Sequence, residues 1–113
     1  MNVFDHFQYE NIIEQLFRNH PDIDGIFASS DVIAAHVVRV CRARNKRIPD
    51  DIKIVGYDDI RLASLFVPSL TTVRQPIEDM AKRAVELIIR QVNEESVQFE
   101  NVFPVKLIER ETT

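Results

Sequence analysis

The sequence predicts an α/β fold with parallel strands. Three observations carry this. Apolar residues recur at helical spacing in long stretches, short β-branched runs lie between them, and proline, glycine or small polar residues mark the junctions. A strand, a helix of about fourteen residues and another strand form a βαβ unit, and its crossover length suits parallel pairing. The continued alternation of elements argues α/β rather than segregated classes.

The elements follow in order. Tyr9, Ile12, Ile13, Leu16 and Phe17 predict an amphipathic helix over about residues 6–19, stopped at His20-Pro21-Asp22 because proline disfavours a helical residue before it. Ile23–Ala28 is a short apolar run suited to a buried strand. Ser29, Ser30 and Asp31 offer N-cap oxygens to a second helix that runs to about Arg44, where Asn45 can end it and Pro49 keeps it ended. Ile52, Ile54 and Val55 make a second strand, closed by Gly56. Ile60–Phe66 reads as a short helix before Pro68, and Leu70–Arg74 as a third strand. Pro76 suits the first turn of a helix whose apolar face is Ile77, Met80, Ala81, Ala84, Leu87 and Ile88. Glu94–Asn101 is loop-like, and Val102–Glu109 is a late strand whose Pro104 favours an edge.

Composition narrows the function classes. At 113 residues, 45% apolar and 28% charged, the chain fits one small domain and not a disordered tail. One cysteine excludes an internal disulfide, and Cys41, inside an apolar helical pattern, reads as a small buried hydrophobe. No apolar run approaches the ~20 residues of a membrane span, and Met1–Glu10 lacks the basic start and apolar stretch of a secretory signal. Cytoplasm is the default compartment. Two glycines leave no room for a glycine-rich phosphate loop. The net charge is −4, and the one basic cluster, Arg39, Arg42, Arg44, Lys46 and Arg47, reads as a helix C-terminus rather than a nucleic-acid patch.

Chemistry is expected beyond the carboxyl ends of the strands, where open parallel sheets bind ligands. Ser29-Ser30-Asp31 follows the first strand and Tyr57-Asp58-Asp59 the second. If those strands are neighbours, both groups face one cleft, with hydroxyl and carboxylate oxygens suited to a polyhydroxylated ligand. Asp31 reads more simply as a helix cap, and Asp58 equally well as a turn residue. Adjacent Asp58 and Asp59 point to opposite faces, which poorly matches an acid/base pair flanking one bond. His6, His20 and His36 show no ligand spacing with one another or with Cys41, and no serine sits in a nucleophile elbow. No catalytic residue, metal site or cofactor is therefore expected. The second helix is apolar nearly all round, so one side covers the sheet and the other needs a second cover. With Leu62, Leu65 and Phe66 on the next short helix, that cover is expected to be a second subunit.

Four stretches carry a family resemblance. Phe27–Ala34 resembles the segment of the LacI/GalR repressors where a strand meets an Asp-led helix. Ile48–Asp59, with its Gly56-Tyr57-Asp58-Asp59, resembles the most recognisable stretch of that family; Pro68–Pro76 and Pro104–Thr113 resemble its next one and its C-terminal strand. The match covers nearly the whole chain in the family's order. It implies a parallel-sheet sandwich of the periplasmic-binding-protein-like type, of which residues 1–113 are an incomplete C-terminal portion. Residues of about 6–70 would lie in the C-terminal lobe, the helix of about 76–94 in the N-terminal lobe, and about 101–113 would return as a strand.

The resemblance also implies a function. Family members are cytoplasmic transcription repressors with a helix-turn-helix, a hinge helix and a two-lobed sensor that takes a small-molecule effector. It implies an effector such as a sugar or sugar phosphate, a homodimer, and operator DNA reached only through an N-terminal domain outside this chain. It implies no membrane partner. By position, Asp58 matches the effector-binding acid, Ser30 a polar position that is often Asn, and Phe4 or Phe7 an aromatic that stacks on a sugar. The family's dimer surface maps onto Val32–Ala35 and onto Leu65 and Phe66. The chain departs from the pattern at His36, where many relatives carry Gly. The alternative is a fragment of a sugar-binding protein of a transport system, which would share the fold without a DNA role.

Overall fold

The computed structural model describes the backbone from His6 onward and side chains from Gln8 onward. The order is α1 (His6–Asn19), β1 (Gly25–Phe27), α2 (Asp31–Ala43), β2 (Lys53–Asp58), a 3₁₀ turn (Arg61–Ser64), β3 (Thr71–Arg74), α3 (Ile77–Val92) and β4 (Lys106–Ile108). The strands form one four-stranded sheet in the order β1-β2-β3-β4. β1, β2 and β3 are parallel, and β4 pairs antiparallel with β3 at the edge. The α/β fold with parallel strands expected from the sequence is therefore present.

The core lies between α2, β2 and α1. Strand alternation aims Ile52 and Ile54 inward; both are fully buried, as are Ala34 and Cys41 on α2 and Leu70 before β3. Ile13 and Phe17 anchor α1 to this cluster. Cys41 behaves as the small apolar residue expected, and burial pushes its thiol pKa up to about 11. α2 ends in a Schellman motif. Asn45 is left-handed at φ 56°, Lys46 N–H donates to Cys41 O at 2.9 Å, and Asn45 N–H donates to Arg42 O at 3.0 Å.

The basic cluster at the C-terminal end of α2 is drawn into local pairing. Arg39 and Arg44 meet Glu10 and Glu14 of α1, Arg47 meets Asp51, and Arg42 donates to the Val67 carbonyl. Arg44 and Lys46 also each sit 5.3 Å from the centre of the Phe17 ring. These contacts clamp α1 against the end of α2, in line with the helix-terminus reading.

Some boundaries differ from expectation. β2 runs on through Tyr57 and Asp58, beyond the predicted close at Gly56, because Tyr57 and Asp58 keep register with Val73 and Arg74. The expected helix at 60–66 is one 3₁₀ turn. The late strand is only Lys106–Ile108, since only Thr72–Arg74 offers it a partner. The tail after it does structural work. Thr112 is fully buried, its Oγ1 donates to Ile54 O at 2.6 Å and accepts from Thr71 N–H at 2.9 Å, and its carbonyl accepts from Ile54 N–H. It thus bridges β2 and β3 just ahead of the point where the two strands begin to pair, at Val55 and Thr71.

α3 stands apart. None of its residues is buried, and Ile77, Val85, Ile88, Ile89 and Val92 are exposed. The described residues accordingly span 58 Å by 32 Å by 23 Å.

Candidate functional site

Parallel pairing brings the two predicted groups to one edge. Phe27 is in register with Val55, so Ser30 lies three residues beyond the β1 partner and Asp58 three beyond the β2 partner. β3 ends at the same edge, where Arg74 is in register with Asp58 and Gln75 follows. The rim is built from three adjacent strand ends.

Each rim residue has a defined setting. Ser30 is extended (φ −153°, ψ 159°) and caps α2, its Oγ accepting from Ile33 N–H at 3.2 Å. That bond uses one acceptor site and leaves the hydroxyl proton available. Asp58 is partly buried and accepts from Gln75 Nε2 at 2.9 Å through Oδ1. Its backbone has a positive φ of 112°, and Asp59 follows in the left-handed well at φ 53°. Gln75 was not singled out from sequence, although the strand-end argument that found Ser30 and Asp58 applies equally to the end of β3.

The three neighbouring aspartates do different work. Asp31 is fully buried and does not cap α2, which corrects the simpler sequence reading. Its Oδ1 accepts from Thr72 Oγ1 at 2.5 Å and its Oδ2 from Ile60 N–H at 2.8 Å. The carboxylate thus joins the start of α2 to β3 and to the loop after β2. Gly56 makes room for it: a Cβ there would overlap Asp31 Oδ1 and come within 3.0 Å of Leu70 Cδ2. Asp59 lies between two arginines, with Oδ2 2.5 Å from Arg74 Nε and Oδ1 2.7 Å from Arg110 Nη2. Burial raises its pKa, but the hydrogen bonds from Arg110 and Arg74 outweigh this and hold it below the ordinary aspartate value. Asp58 meets an uncharged side-chain donor, Gln75, at the rim, and unlike Asp31 it is only partly buried.

A second feature is an apolar groove of about 610 Å³ lined by Val32, Ala35, His36, Arg39, Ile60, Leu62 and Phe66. Val32 is half exposed, and Leu65, beside the groove in sequence, is 71% exposed. His36 forms one wall, stacked on Tyr9 with ring centres 5.6 Å apart and with Nδ1 3.4 Å from Glu10 Oε1. The groove gathers three of the four residues expected at a dimer surface. Phe4 lies outside the described residues. Among the described residues, no group of three or more His, Cys, Asp or Glu gathers to hold a metal, and no helix is long and apolar enough to cross a membrane.

Comparison with known proteins agrees with this architecture. Residues 3–113 match the model of the periplasmic binding protein-like domain. The ribose operon repressor of Halalkalibacterium halodurans is 46% identical over 105 residues, which cover 92% of this chain and 32% of that protein. Among solved structures, a transcriptional regulator CelR–cellobiose complex superposes with a TM-score of 0.87 at 33% identity, over 97% of this chain and 34% of the other. A LacI family transcriptional regulator from Enterococcus faecium with bound ribose gives a TM-score of 0.81 at 29% identity, over 97% of this chain and 41% of the other. The chain spans about a third of the length of the curated relatives it matches. It belongs to the periplasmic binding protein-like domain family, in the form carried by LacI-family regulators.

Proposed function

We propose that this chain is the effector-binding and dimerising portion of a sugar-responsive transcriptional repressor. One observation carries the reading: the β1–β2 register brings the Ser30 and Asp58 loops to a single rim. Asp58 accepts hydrogen bonds from ligand hydroxyls, with Gln75 occupying one of its oxygens and so orienting the other. Ser30 donates its free hydroxyl proton, and Phe4 stacks on the sugar ring as the family resemblance implies. Similar regulators with ribose or cellobiose bound favour a neutral sugar as effector. The relatives' regulatory names favour this reading over a transport protein of the same fold.

In this reading the apolar groove on α2 and the 3₁₀ turn is covered by a second copy, with Val32, Ala35, Leu65 and Phe66 in the contact. The apolar face of α3 packs in the other lobe of the sensor. A ligand that prefers one arrangement of the lobes shifts the population of arrangements, and through it the affinity for operator DNA carried by a separate reading head. No catalytic group enters this scheme.

The test is a nuclear magnetic resonance titration of the ¹⁵N-labelled chain with D-ribose, cellobiose and sucrose. Weak binding is expected, because one wall of the cleft is supplied by the other lobe, with the largest shifts at residues 29–31, 56–60 and 74–76. Shifts centred on the far end of the sheet, or none with any of the three sugars, would overturn the site. An electrophoretic mobility assay on operator DNA should show no binding by this chain.

A further inference from the structure

Asp58 is held in a conformation it would not keep alone. A non-glycine residue at φ 112° lies outside the small left-handed well and persists only where its surroundings over-determine it. Besides its own register with Arg74 and its bond from Gln75, the restraint comes from the next residue. Asp59, with a side chain only 7% exposed, bridges Arg74 and Arg110, and its N–H donates to Thr72 Oγ1 at 3.3 Å. One residue further, Ile60 N–H is tied to Asp31.

The two arginines occupy particular places in the topology. Arg74 ends β3, the strand that leads out to α3. Arg110 follows β4, the strand that returns from it. Arg110 is itself fixed, since its backbone N–H donates to Thr71 Oγ1 and its Nη1 to Leu70 O, both at 2.8 Å. Charge-assisted hydrogen bonds are about twice as strong as neutral ones, and this bridge makes the restrained loop and both crossover segments one contiguous network, the kind of element through which coupling between sites is carried.

We infer that Asp59 is a positioning residue: it holds Asp58 in its binding orientation, and through Arg74 and Arg110 it couples the ligand rim to the segments that lead to and from α3. This rests on Asp58 being a ligand contact, as proposed above.

The experiment is the same titration of the whole chain with D-ribose, run on wild type, Asp59→Asn and Arg74→Met. In wild type, D-ribose shifts amides at 56–60 and also at 106–110, beyond the rim itself. Asp59→Asn keeps shifts at 29–31 but binds D-ribose about tenfold more weakly, and the response at 106–110 disappears. Arg74→Met removes one of the two arginine ties at a half-exposed side chain, so its fold is retained. It should weaken binding about threefold and reduce the distal response in part. A folded Asp59→Asn chain with wild-type affinity, or with an intact response at 106–110, would overturn the inference. Should Asp59→Asn fail to fold, Arg74→Met decides, and wild-type behaviour there overturns it. Absence of shifts at both 29–31 and 56–60 in wild type defeats the site reading, and this inference with it.

Discussion

Replacing Gly56 by alanine separates local propensity from tertiary packing. Gly56 does not have positive φ, so its backbone suits alanine. On propensity alone, Gly56→Ala in a strand interior should stabilise by about 0.5–1 kcal/mol. The structure reverses the sign. The added Cβ overlaps Asp31 Oδ1 and presses Leu70 Cδ2, and neither neighbour can turn toward solvent because both residues are fully buried. Overpacking of this kind costs about 1–3 kcal/mol. Pushing the carboxylate away also weakens its bonds with Thr72 and Ile60, and a buried polar group left without its partner costs about 1–3 kcal/mol more. The net expectation is a loss of about 3 kcal/mol, a large part of the ~5–15 kcal/mol of an ordinary domain.

Urea unfolding followed by circular dichroism measures this directly, and with a slope of about 1–3 kcal/mol per molar the midpoint should fall by roughly 1–3 M. The double variant identifies the cause. With Asp31→Ala in place the clash partner is gone, and adding Gly56→Ala should cost about 1 kcal/mol or less. A single-variant loss below about 1 kcal/mol, or additivity of the two changes within about 0.5 kcal/mol, would refute the proposed clash.

Other expectations concern the tail, the groove and pH. Thr112→Val keeps the shape but strips two buried hydrogen bonds from Ile54 O and Thr71 N–H, and should destabilise by about 1–3 kcal/mol in the same unfolding assay. Val32→Glu, at a half-exposed side chain of the apolar groove, should leave the chain folded by circular dichroism while shifting sedimentation from dimer to monomer; an unchanged sedimentation profile would exclude this groove as the contact. Asp59 is held below its ordinary pKa of 3.8, so its contribution is present above that value and lost as pH falls through the lower folded value. Acid unfolding of Asp59→Asn should therefore be shallower below about pH 4 than that of wild type.

Much of the architecture is local and therefore legible in the chain. The period of Ile12, Ile13, Leu16 and Phe17 sets α1, and Pro21 bounds it. The apolar breadth of α2 foretells a helix covered on more than one side, and its Val32–Ala35 face does open on a groove. Strand-end reasoning places Ser30 and Asp58 on candidate loops without coordinates. The same reasoning applied to the end of β3 reaches Gln75, which follows Arg74 there. The expected strand at 102–109 is overextended because alternation marks residues able to be extended, whereas a ladder also needs a partner. Only Thr72–Arg74 supplies one.

What the sequence determines by itself is the succession of helices and strands, the parallel βαβ logic and the chemical character of the strand ends, since periodicity and turn residues act over a few neighbours. Only the tertiary structure separates the roles of Asp31, Asp58 and Asp59. A carboxylate's role depends on which donors reach it, and these come from afar: Thr72 to Asp31 across 41 residues and Arg110 to Asp59 across 51. The same side chain becomes a buried strut, a bridge between arginines or a group at the rim according to partners that only the folded chain assembles.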